Sequence, residues 1–195
     1  ALGGSPADFV QLVRLIYVRE PDEMEGGGKE QKEACSRRSW NVLNEWSILP
    51  GSREDGTVDG DHLLGWVKQA RDLLAQCGCL DVGDFQIGHV LSCSPDDTDG
   101  VWPAAAVRDA VEEVASERMY SGIVKGKLNR RGVSSRGVFD GGSKERDLSV
   151  QYSRMARQVA NRWPRTAAIL RAIASEYERE AQLFDMQAER LADDG

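Results

Sequence analysis

Apolar residues recur at intervals of three and four along almost the whole of this 195-residue chain, and that spacing reads as helix nearly throughout. Ser5-Pro6 supplies an N-cap followed by proline at the first helical position. Phe9, Leu12, Val13, Ile16 and Tyr17 then fall on one face. A second helix is predicted over about 29–46, with Cys35, Trp40, Leu43 and Trp46 as core candidates. Asp59 caps a third, which carries Leu63, Leu64, Trp66, Val67, Ala70, Leu73 and Leu74 and stops near Cys77-Gly78. A short helix covers about 83–91, and Pro103 opens a fifth that reaches at least Met119, with Val107, Val111 and Val114 inward. Polar, glycine- or acid-rich stretches at 21–29, 50–60 and 92–100 read as loops.

The most regular periodicity closes the chain. In 144–163, Leu148, Tyr152, Met155, Val159 and Trp163 step by 4, 3, 4 and 4. In 164–192, Leu170, Ile173, Tyr177, Ala181, Phe184, Ala188 and Leu191 step by 3, 4, 4, 3, 4 and 3. Each is a one-face stripe. Only Trp163-Pro164 lies between them, and proline cannot continue the first helix without a kink, so an antiparallel hairpin or a sharply kinked helix is expected. No strand pattern persists, although 132–139 could form a brief extended segment. The expected fold is all-α, with about seven helices in an irregular bundle or short solenoid ending in a long antiparallel helical hairpin. It divides into a helical subdomain 1–128, a basic Gly/Arg loop 129–143 and the terminal hairpin 144–195. Two junctions, 55–72 and 97–109, echo each other as Asp/Gly loops running into amphipathic helices, too briefly to define a repeat.

Charge changes the picture at one place. The chain carries a net charge of −7, yet Lys125, Lys127, Arg130, Arg131, Arg136, Lys144 and Arg146 face only Asp140 and Glu145 within 122–146. Guanidinium groups match phosphate bidentately, so Arg130, Arg131 and Arg136, with Lys125 and Lys127, are candidates for binding nucleic acid or phosphate. Phe139 is the lone aromatic there, which gives little to stack bases on, and the acidic chain opposes nonspecific nucleic-acid binding. Val133, Val138 and Phe139 between arginines also suit a protein partner. The third possibility is internal docking on residues 1–121, which hold 22 Asp and Glu against 11 Lys and Arg. The apolar residues around Arg136 make it the arginine expected to turn inward. Arg130 and Arg131 are the ones expected to face an outside partner.

Other chemistry finds little footing. Cys77-x-Cys79, His89 and Cys93 approach a zinc pattern with the wrong first spacing, and the cysteines read as reduced small hydrophobes. Asp55-x-Thr57-x-Asp59-Gly60 matches half of a calcium loop, but Trp66 stands where a bidentate Glu is needed. Gly137–Gly142 is a loose approach to a dinucleotide fingerprint without its strand–helix unit. His62 and His89 lie far apart, and the common nucleophile, metalloprotease and phosphate-loop motifs do not occur. No cofactor, metal or catalytic residue is therefore expected. No apolar run is long enough to span a membrane. Ala1–Pro6 lacks the features of a signal peptide, and the apolar stretch Phe9–Val18 begins almost at once. A cytoplasmic piece of a longer polypeptide is the expectation.

RRGVSSRGVFDGGSKERDLSVQYSRMA followed by WPRTAAILRAIASEYEREAQLFDMQAE resembles the C-terminal helical segment of large uncharacterised bacterial, mainly actinobacterial, multidomain proteins. SREDGTVDGDHLLGWVKQAR and VGDFQIGHVLS are similar to the part just upstream in them, and DFVQLVRLIYVRE to the end of a preceding helical repeat. The resemblance covers nearly the whole chain. It implies an accessory module attached to an upstream effector or ATPase-like region, of a defence or signalling system, and assigns no catalytic residue. The function expected is non-enzymatic protein interaction or regulation, with the upstream domains or another protein as partner. The alternative is nucleic-acid or phosphate binding through 125–146.

Overall fold

The computed structural model describes residues 4–17, 28–131 and 141–193, without the side chains of 28–33 and 191–193. Within them the chain is all-α, with eight helices and one isolated backbone bridge, Ser52 to Val58. They are α1 (Pro6–Tyr17), α2 (Gly28–Asn44), α3 (Gly60–Gln76), α4 (Leu80–Leu91), α5 (Ala105–Val114), α6 (Glu117–Asn129), α7 (Ser143–Val159) and α8 (Pro164–Asp193).

The helix beyond the expected count comes from a break where one continuous helix was predicted. Ala115 takes the left-handed conformation, φ 51°, and its N–H closes α5 on the Val111 carbonyl. Ser116 then caps α6, its Oγ accepting from the Met119 N–H at 3.3 Å and donating to Asp84 Oδ2 at 2.6 Å. A serine followed at once by Glu117 is a helix-start signal that the apolar periodicity conceals.

Phe9 of α1 lies edge-on to Trp46 and Trp66, at ring separations of 5.9 and 5.1 Å. On α2 the inward positions are Ser39 and Leu43, followed beyond the helix by Trp46. Cys35 and Trp40, expected in the core, are exposed, because α2 packs chiefly on α1 and those two residues fall outside the face that α1 covers. Asp59 caps α3 as the sequence implies, accepting from the His62 N–H at 3.0 Å.

Helices α4 and α6 make a close backbone contact. Gly88 lies against Gly122 and Ile123, and Gly126 against Ser92 and His89. Contacts advance in the same direction along both chains, so the two helices run parallel. Gly122 and Gly126, four apart, present one bare strip to Gly88 and Ser92. A strip of this kind lets backbones approach.

Helices α7 and α8 pack extensively against each other. Tyr152, Met155, Val159 and Trp163 from the first stripe, and Leu170, Ile173, Tyr177 and Ala181 from the second, are buried as the periodicity predicts. Leu148, Phe184 and Ala188 are half-buried. A continuous hydrophobic cluster runs from Phe9 to Tyr177, on both sides of the basic segment. No helix among the described residues is long and apolar enough to cross a membrane.

Candidate functional site

Because α4 and α6 are parallel, their C-termini end side by side, at Ser92 and Arg130. Each C-terminus carries roughly half a negative charge in its unpaired carbonyls. The basic segment begins at this doubled negative pole. Arg130 Nε donates to Ser92 Oγ at 3.2 Å, and its terminal nitrogen donates to the Trp46 carbonyl at 2.6 Å. The side chain therefore ties the α4 and α6 ends to the segment that follows α2.

Lys127 lies with its ammonium 4.3 Å from the centroid of the buried Trp102 ring. Burial pushes the pKa of its amine down, Asp96 opposes that shift, and Arg130 adds to it. Lys125 points outward. His89, one turn before the end of α4, stacks obliquely on Phe85 at 5.0 Å. Its pKa is lowered by burial and then by Arg130 and Lys125. Its Nε2 is buried without a hydrogen-bond partner, which suits a neutral imidazole better than a charged one.

Arg131 turns the other way, into the space between α7 and α8. Its guanidinium pairs with the fully buried Glu145 and, at 2.9 Å, with Glu180. It also lies 5.3 Å from the Tyr177 ring centroid. Tyr177 stacks on Tyr152 at 5.7 Å, and Tyr152 meets Trp102 edge-on at 6.4 Å. Lys127 and Arg131, one turn apart, thus bracket a ladder of three rings that joins α6, the 94–104 loop, α7 and α8. Past the loop, Arg146 pairs with Asp185, which also accepts from the Gly142 N–H at 2.8 Å.

These placements revise the expected division of labour. Arg131, read from the sequence as facing an outside partner, pairs instead with Glu145 and Glu180, whereas Arg130 is exposed and donates to Ser92 and Trp46. The carboxylates that neutralise Arg131 belong to α7 and α8, not to residues 1–121. Arg136 and Phe139 lie outside the described residues, as do the possible extended segment 132–139 and most of the Gly137–Gly142 motif. Of the described candidate binding residues, Lys125 and Arg130 are exposed, and Arg130 differs in being tied to Ser92 and the Trp46 carbonyl by hydrogen bonds.

The remaining motifs resolve into local structure. Thiols of Cys77, Cys79 and Cys93 donate to the carbonyls of Leu74, Cys77 and Trp46 respectively, so they do not converge with His89. Burial raises the Cys93 thiol pKa. No group of three or more His, Cys, Asp or Glu among the described residues is arranged to hold a metal ion. Asp55 accepts from the Thr57 N–H and Oγ1, while Asp59 pairs with Arg53 as well as capping α3. The two echoing loops do the same job. Asp97 accepts from the Ala105 N–H to cap α5, and Gly60 and Ala106 bring the two helix starts together.

Sequence reasoning missed Arg108. It is fully buried and forks onto both oxygens of Asp99, at 2.7 and 2.8 Å. It also donates to the carbonyls of Pro103 and Val101 and lies 4.9 Å from the Trp163 ring. Five donors in a fixed fork make arginine able to gather a loop in this way. On the sequence, a single arginine in an amphipathic helix carries no mark that separates it from a solvated one. Comparisons with protein-family models, curated proteins and solved structures return no match for the chain.

Proposed function

We propose that this chain is a non-enzymatic helical interaction module of a larger bacterial multidomain polypeptide, braced by an antiparallel hairpin of α7 and α8. The observation that carries the reading is Trp40. It stands 46% exposed on α2, with Leu15 at 40% and Tyr17 at 39% on the neighbouring helix. Ser36, one turn before Trp40, donates to the Leu15 carbonyl at 2.7 Å, so this part of α2 abuts the end of α1 that carries Leu15 and Tyr17. Tryptophan is the residue most enriched where binding energy concentrates. Phosphate binding through the basic segment has less support, because a phosphate would have to draw Arg131 away from two carboxylates and Arg130 from a carbonyl and a hydroxyl.

A photo-crosslinking residue placed at position 40 tests the proposal in cells that make the full polypeptide. Position 69 on α3, also exposed, serves as control. Crosslinking from 40 into one discrete protein or upstream domain, absent from 69, is the expected result. Equal crosslinking from both positions would overturn the reading.

A further inference from the structure

Between α7 and α8, on the side turned to solvent, runs a furrow of about 410 Å³, lined by Ser149 and Ser153 from one helix and Arg171, Ser175, Glu178 and Gln182 from the other. Arg179, paired with Glu176, also lines it, and the small Ala174 and Ser175 lie at its middle. Among the described residues Arg171 has no ion-pair partner, and the hydrogen bond of Glu178 is a long one, 3.5 Å, from Gln182. Arg171 and Glu178 are seven apart, two turns along one face of α8, and equidistant from the Ala174–Ser175 step.

We propose that a second copy of this chain docks in this furrow, α8 against α8 in antiparallel register, about a two-fold axis at Ala174–Ser175. A two-fold contact must be self-complementary, with residue i meeting j and j meeting i. About that axis Arg171 meets the partner's Glu178, and Glu178 meets the partner's Arg171. The exposed Ser175 sits at the crossing point, next to the buried Ala174. The same register sets Met186, 47% exposed on α8, opposite the partner's Trp163–Pro164 corner. An otherwise solvated methionine thereby gains an apolar neighbour at each end of the contact. The face from Pro164 to Met186 is roughly 33 Å long at 1.5 Å per residue. The face lies on other helices than Trp40 and stands or falls independently of the proposal made for it. The charge of −7 on each chain opposes association. Ionic strength near 0.15 M, where the screening length is about 8 Å, removes most of that repulsion and leaves the close pairs.

Sedimentation equilibrium of the intact chain over a wide concentration series decides the matter. The expected result is a reversible dimer. Arg171→Glu and Glu178→Arg should each weaken it at least about tenfold by setting like charges face to face. The combined Arg171→Glu/Glu178→Arg chain should return most of the lost affinity. Circular dichroism melts of all three check that the fold is unchanged. A chain that stays monomeric throughout overturns the proposal, as does a dimer indifferent to the single reversals or a double variant as weak as either single one.

Discussion

Replacing Gly122 by alanine should destabilise the protein, although alanine is the better helix former. A Cβ built on Gly122 falls 2.9 Å from the carbonyl carbon of Phe85 and 3.0 Å from the Gly88 Cα, and closer still to the Phe85 carbonyl oxygen. Those atoms are backbone on a packed helix, so no rotamer change relieves the overlap. α4 and α6 must move apart. Overpacking of a core costs about 1–3 kcal/mol, and a clash between two backbones belongs at the top of that range. A separation near 1 Å forfeits a quarter to a half of each dispersion contact along the seam. Helix propensity returns about 1 kcal/mol, which leaves a net loss of about 2 kcal/mol. At this size 1 kcal/mol shifts the melting temperature by roughly 2–4 °C, so Gly122→Ala should melt about 4–8 °C lower. Gly65 supplies the opposite case. It lies in mid-helix on α3 with nothing within 4 Å of its missing Cβ, so Gly65→Ala should gain about 1 kcal/mol and melt higher. Thermal and urea melts followed by circular dichroism read both. If Gly122→Ala melts at or above the parent, or if the two changes shift stability the same way, the packing account of α4 and α6 is wrong.

His89 has a folded pKa below the ordinary 6.5, so the unfolded chain takes up a proton that the folded chain refuses. Stability should fall as the pH drops below about 6.5, and His89→Gln should flatten that slope in urea melts down to pH 5; an unchanged slope would assign it to other groups. The carboxyls of Asp97 and Asp99, held low chiefly by the Ala105 N–H and by Arg108 respectively, withdraw their contribution only as the pH falls below about 4. Arg108→Ala should cost about 3 kcal/mol by leaving carbonyls of the 94–104 loop unpaired in the interior, and Arg108→Lys should recover little, since an ammonium cannot reproduce the fork; full recovery by lysine in equilibrium unfolding would refute the fork. Phe184→Ala should cost about 1–2 kcal/mol, below the 3–5 of a fully buried phenylalanine, because Phe184 is half-buried; a loss as large as that of a core residue would place it deeper.

What was legible in the sequence was what periodicity and capping record. The stripes of α7 and α8 predicted their buried residues, and Asp59 predicted where α3 begins. Periodicity failed at Ala115, because a left-handed alanine leaves no compositional trace and the apolar spacing runs on across the break. It failed at Trp40, because a lone helix cannot say how many neighbours it has. The basic segment was visible as charge, but charge does not encode direction. Whether Arg131 faces solvent depends on where Glu145 and Glu180 arrive in space, and both come from helices beyond the loop. The glycines were the signal read least well. Gly122 and Gly126 four apart on one helix, with Gly88 and Ser92 four apart on another, encode a close parallel pair, and that pairing becomes meaningful only once the two helices are known to touch.

That parallel pair also accounts for why an acidic chain concentrates cations where it does. Antiparallel neighbours cancel their dipoles, whereas α4 and α6 add theirs, so the ends at Ser92 and Arg130 together present about one negative charge of exposed carbonyls. Lys125, Lys127 and Arg130 surround that pole, and each cation there is worth about 0.3–1 kcal/mol. Burial is the main cause of the lowered pKa values of His89 and Lys127, and repulsion from Arg130 adds to both. A fourth positive charge would add to this repulsion without a new acceptor, and a neutral His89 avoids it. Arg131, next in sequence, is the first cation past the pole, and it finds its counter-charges on α7 and α8 instead. The sign of the segment therefore follows from the handling of two helix ends and one buried glutamate, before any external ligand is considered.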